Sequence, residues 1–133
     1  MKFPYFKLDK NLQRPIVPLV VKAQGKEAKY FAMIDSGADI NLFHAEIADL
    51  LGIDVRSGDQ GKVSGITQGE SEPFYTHPVT LNIGGWDFET EVGFMPKLSH
   101  NGHGLLGQNG FFDLFSKVSF SKAKHEIELT TKK

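Results

Sequence analysis

An apolar run that stops at a carboxylate constrains this chain more than any other feature. Phe31-Ala-Met-Ile-Asp35-Ser-Gly-Ala-Asp39 reads as a strand that delivers Asp35 to the tip of a tight loop. Ser36 is expected to hydrogen-bond backbone locally, and Gly37 to take dihedrals closed to residues with a Cβ. A carboxylate held this way is fixed in place instead of wandering on a surface. The sequence has one Asp-Ser-Gly and no Asp-Thr-Gly. Any chemistry that needs two such carboxylates therefore needs two copies of the chain.

Composition narrows the rest. A length of 133 residues is most economically one domain, 1–133, large enough to bury a core without staples. The 15 basic and 16 acidic residues are interspersed, so no basic stripe argues for nucleic acid. There are no cysteines, which excludes disulfides, thiol catalysis and thiolate metal sites. The N-terminus lacks the apolar run of a signal peptide, and no segment approaches membrane-spanning length. A soluble, cytoplasmic protein is the expectation.

The pattern along the chain is mostly strand and turn. Ile16–Ala23 and Ala28–Ile34 are β-like runs joined at Gln24-Gly25-Lys26, which predicts a hairpin. Phe43, Ile47, Leu50 and Leu51 recur at helical spacing with Gly52 as a stop, giving a short helix over about Ala45–Leu51. Val79, Leu81 and Ile83 alternate before Gly84-Gly85. Beyond that turn Trp86, Phe88, Thr90, Val92 and Phe94 share one face of a half-buried strand, with Trp86 read as core. Phe111, Leu114 and Phe115 predict a second short helix, followed by strands near Lys117–Ser121 and His125–Thr130. The sum is an all-β domain with two small helices.

The Asp35-Ser36-Gly37-Ala38-Asp39 loop, a glycine-bearing hairpin near Val63–Gly69 and the late Leu105-Leu106-Gly107 occur in an informative order. Together they resemble the retropepsin family, the single-lobe aspartic proteases of retroviruses and their bacterial relatives. The likeness runs from about Ile16 to Leu129. It implies a closed β-barrel-like half-lobe with a flap hairpin and two short helices, working as a C2 homodimer. It also implies that Asp35 is catalytic, that Ser36 ties the two active-site loops together, and that Asp39 borders the substrate groove. Val63, Ser64, Gly65, Ile66, Thr67, Gln68 and Gly69 would form the flap. Leu105, Leu106 and Gly107 would pack beneath the catalytic loop. Gln108-Asn109 departs from the Arg-Asn usual in retroviral members, so the ion pair that Arg makes with the acid at Asp39 is absent.

The implied activity is peptide hydrolysis without metal or organic cofactor. Two Asp35 carboxyls share one proton, one acting as base toward water and the other as acid. Two alternatives stand beside it: a dimeric peptide-binding or scaffolding module that no longer cleaves, and a protease dormant until a partner activates it. His100 and His103 lack further clustered ligands and read as a solvated loop instead of a metal pair. His44, His77 and His125 are scattered, and Glu70 and Glu72 read as a solvated face.

Overall fold

The computed structural model describes residues 1–64, 71–98 and 102–132. Its strands begin with β1 (Lys2–Pro4), β2 (Phe6–Asp9), β3 (Leu12–Arg14), β4 (Ile16–Ala23), β5 (Lys26–Ile34) and β6 (Leu42–His44). Helix α1 (Ala45–Leu50) follows, then β7 (Asp59–Ser64), β8 (Ser71–Ile83), β9 (Trp86–Met95), β10 (Gly104–Leu106), β11 (Phe115–Ser121) and β12 (Glu126–Thr131). Six strands hydrogen-bond in the order β4-β5-β10-β6-β9-β8, and β8 returns to pair with β4. That closure makes a barrel and removes the free edges, leaving β7 as an added strand on β8.

Turn chemistry sets the hairpins. Gln24 and Gly25 both take positive φ, at 53° and 74°, and link β4 to β5 with the twist that paired strands need. Gly84 and Gly85, at 60° and 90°, do the same between β8 and β9. The strand boundaries Ile16–Ala23 match the sequence expectation, and β5 starts two residues before Ala28. Inward residues Val17, Val21, Ala32 and Ile34 meet Phe43, Phe94, Leu106 and Phe111 in one buried cluster.

Helix α1 is shorter than a turn-rich sequence would need for independent stability, so packing holds it. Ile47 and Ala48 are buried, and the His44 Nδ1 caps the first turn by accepting from the Glu46 amide at 3.0 Å. Gly52 follows with φ at 72° and ends it. The second expected helix is a single 3-10 turn over Phe112–Leu114, flanked by buried Phe111 and Phe115.

Outside the barrel, β1, β12 and β11 form a three-stranded antiparallel sheet. The chain's two ends are thus joined within one molecule: the Met1 amino group donates to the Leu129 carbonyl at 2.9 Å. No helix among the described residues is long and apolar enough to cross a membrane.

One core expectation is corrected. Trp86 is 65% exposed, because it stands at the tip of the β8–β9 hairpin where no second layer covers it. Burial grows along β9 as β6 joins it: Val92, Gly93, Phe94 and Met95 are all buried, so the strand's far end is covered on both faces. Phe94→Ala should therefore cost about 3–5 kcal/mol of stability, and Trp86→Ala no more than about 0.5 kcal/mol. Urea denaturation followed by circular dichroism measures both.

Candidate active site

Asp35 sits one residue beyond the end of β5, where the barrel wall gives way to a loop. Its position is set from below. Strand β10 pairs in parallel with β5, Leu105 with Met33 and Leu106 with Ile34, and the Asp35 amide donates to the Leu106 carbonyl at 3.0 Å. Leu106 is fully buried, so the brace under the carboxylate is an apolar floor.

The loop then closes on itself. The Asp35 Oδ1 accepts from the Gly37 amide at 2.9 Å, and the Ala38 amide donates to the Asp35 carbonyl at 3.1 Å. One carboxylate oxygen is thereby oriented by backbone, while the side chain stays half-exposed. Gly37 serves this turn differently from expectation. Its φ lies outside the left-handed region; a Cβ there would instead stand 3.2 Å from Asp35 Oδ1. A side chain there would displace the carboxylate oxygen by a few tenths of an ångström. Ser36 also differs: among the described residues its hydroxyl has no hydrogen-bond partner, and only its carbonyl is used.

Two further residues complete the brace. Gln108 donates its Nε2 to the Ser36 carbonyl at 2.8 Å and its amide to the Ala38 carbonyl at 2.9 Å. A neutral side chain thus takes the supporting place expected of a cation, and Asp39 has no ion-pair partner among the described residues. Asp39 is exposed, and its carbonyl accepts from the Asn109 amide at 2.8 Å.

Asn41, fully buried, is the second. Its Oδ1 accepts from the Gly107 amide at 3.0 Å and its Nδ2 donates to the Glu91 carbonyl at 3.0 Å. One side chain therefore locks β6, β9 and the end of β10 together. Gly107 itself leaves no room for a side chain, since a Cβ would run into the Ile40 and Ala38 carbonyls.

The larger cavities, of about 630 and 720 Å³, lie on the barrel flanks, and Asp35 lines neither. In one chain the Asp35 loop is an open surface. Of the flap expectation, Val63 and Ser64 end β7 and pair in register with Glu72 and Ser71 of β8; Gly65, Ile66, Thr67, Gln68 and Gly69 lie outside the described residues. So does His100, while His103 Nδ1 lies 3.1 Å from the Gly104 carbonyl. His77 Nε2 bonds the Val55 carbonyl at 2.7 Å, and the His125 ring meets that of Tyr5 at a tilt of 55° with centroids 5.9 Å apart. Among the described residues no group of three or more His, Asp or Glu has metal-binding geometry.

A one-lobe barrel with a braced Asp-Ser-Gly loop is the retropepsin-like acid-protease fold. The chain belongs to the aspartyl protease family: the model of that family, described as "Aspartyl protease", matches residues 19–109, from β4 through Asn109. It is an aspartic endopeptidase. A retropepsin-like aspartic protease from Rickettsia conorii is similar in fold, with a TM-score of 0.62 and 18% identity over 96% of this chain and 88% of that one. The EIAV protease, solved with the inhibitor HBY-793, aligns over 77% of this chain and 86% of its own at 19% identity and a TM-score of 0.49. No curated protein sequence matches the chain.

Replacing Asn41 by Leu would orphan a buried Gly107 amide and a Glu91 carbonyl, each at about 1–3 kcal/mol. The variant should lose about 2–5 kcal/mol of stability and, where still folded, cleave more slowly than the parent. Urea midpoints and initial rates on folded material test the two parts.

Proposed function

We propose that residues 1–133 act as one domain and that two copies form a C2 homodimer whose two Asp35 carboxyls hydrolyse peptide bonds. The observation that carries this reading is the Asp35 loop: a single carboxylate oriented by backbone, on an apolar floor, at an open surface. A twofold axis beside Asp35 would complete a pair from identical halves.

The mechanism follows from charge. At about 4 Å, two carboxylates repel by about 4 kcal/mol at an effective dielectric constant of about 20. That repulsion disfavours double ionisation, so the pair keeps one proton between its two members. The ionised member takes a proton from water as it attacks the scissile carbonyl, and the protonated member donates to the carbonyl oxygen. As the C–N bond of the tetrahedral intermediate breaks, the carboxyl that took water's proton gives it to the leaving amine, and the other takes a proton from a hydroxyl of the intermediate, restoring the pair. The Ser36 hydroxyl, which has no hydrogen-bond partner among the described residues, would bond across the axis.

Substrate would lie extended beneath two flaps formed around Val63–Gly69, adding strand-like hydrogen bonds. Met33, two residues before Asp35 in β5, is half-buried and would offer an apolar wall to a substrate side chain.

Asp35→Asn tests the assignment. The amide is nearly isosteric but cannot share the proton, so cleavage of a mixed peptide library should fall to background while folding and assembly persist. Appreciable turnover by the variant would sink the assignment. The parent's rate should be bell-shaped in pH with an acidic optimum, falling at higher pH as the second carboxyl ionises and at lower pH as the base is protonated. EDTA should leave it unchanged; loss of activity to EDTA, or a rate still rising above pH 8, would contradict the dyad.

A further inference from the structure

We infer that the β2–β3 hairpin is a dimerisation arm, whose exposed apolar side chains together with Phe31 pack on a second copy of this chain when two Asp35 loops meet. The inference rests on the shared-site reading above and adds where the second copy sits.

The hairpin is poorly supported in one chain. It is a separate two-stranded sheet, and every residue of its strands except Gln13 is exposed. Two strands alone are marginal in water unless something covers them. Phe6 pairs with Arg14 and Asp9 with Leu12, and the register shifts between Lys7 and Asp9, so Leu8 is the extra residue of a bulge. Phe6, Leu8 and Leu12 are 41%, 43% and 39% exposed. The Phe6 ring meets that of Phe31, itself 44% exposed, with centroids 5.6 Å apart. A groove of about 290 Å³, lined in part by Pro18 and Val20, continues the surface past Phe31. Four exposed apolar side chains, two of them in ring contact, mark an interaction surface.

Position selects the occupant. Pro15 joins β3 to β4, and its carbonyl accepts from the Ile34 amide at 2.9 Å. The ladder pairs Ile16 with Met33, and with that Pro15–Ile34 bond the root of the hairpin lies at the end of β5, where the Asp35 loop begins. Phe31, Met33 and Asp35 alternate onto one face of the chain. A copy whose Asp35 faces this one across a twofold axis therefore lies over the root of the hairpin.

Charge agrees. The hairpin residues 6–14 carry Lys7, Lys10 and Arg14 against Asp9, while the loop 35–39 carries Asp35 and Asp39 with no base. Among the described residues neither Arg14 nor Asp39 has an ion-pair partner. Twofold symmetry brings each basic arm toward the other copy's acidic loop, which favours a second copy over an apolar partner of unrelated charge.

Because the chain has no cysteine, one engineered thiol reports on one place. Leu8→Cys should be modified by a thiol reagent at least about tenfold more slowly above the dimer midpoint, located by sedimentation, than below it. Leu50→Cys is the control: Leu50 is 64% exposed at the end of α1, and its rate should not change. Leu8→Glu should raise the dissociation midpoint by about tenfold or more with an unchanged circular dichroism spectrum. A dimer in which the thiol at position 8 stays fully reactive and Leu8→Glu leaves the midpoint unmoved would overturn the arm and leave the shared site standing. Protection that needs a bound peptide-like inhibitor would also overturn it, assigning the face to substrate. A chain that cleaves as a monomer would overturn the shared site and the arm together.

Discussion

The parallel pairing of β10 with β5 is the constraint on which the rest of this structure depends. It brings Leu106 beside Ile34 and lets the Leu106 carbonyl receive the Asp35 amide. Without it the barrel would open between β5 and β6, and the Asp35 loop would lose its floor. The two strands are far apart in sequence, so this contact closes a long loop and is expected to form late in folding. What rewards its closure is burial: Leu106 and Ile34 join Phe43 and Phe94 in the common core.

From that contact the site is built by short-range hydrogen bonds. Gly107, Gln108 and Asn109 follow directly on β10, and each uses its backbone or side chain to hold residues 36–41. The loop is therefore held along its length by one strand end, with Asn41 reaching back to fix that strand end in turn. Gln108 braces the loop where the sequence resemblance predicts a departure from a cation. A neutral amide bonding the Ser36 carbonyl fixes the backbone without adding a positive charge beside the carboxylate. The cost is that Asp39 is left to solvent or to another molecule.

Much of this was legible in the sequence where the signal was local. The β4–β5 hairpin, the stop at Gly52 and the approach to Asp35 are written in alternation, glycine placement and one dipeptide turn. Asn41 was not legible, because one polar residue between Ile40 and Leu42 looks like any loop residue until Gly107 and Glu91 arrive from elsewhere. Gln108 was seen as a departure, but the carbonyl it serves is set by tertiary placement. Trp86 misled because alternation gives the face of a strand and not how far the covering layer extends. The N-terminal hairpin was missed because its strands are short and interrupted by charge.

The central claim is that one chain holds half an active site. The measurement that tests it most directly is specific activity over a wide dilution series, with the oligomeric state measured by sedimentation in the same range. Activity should fall along the curve of dimer dissociation and recover on concentration. Constant specific activity in a sample shown to be monomeric would contradict the account.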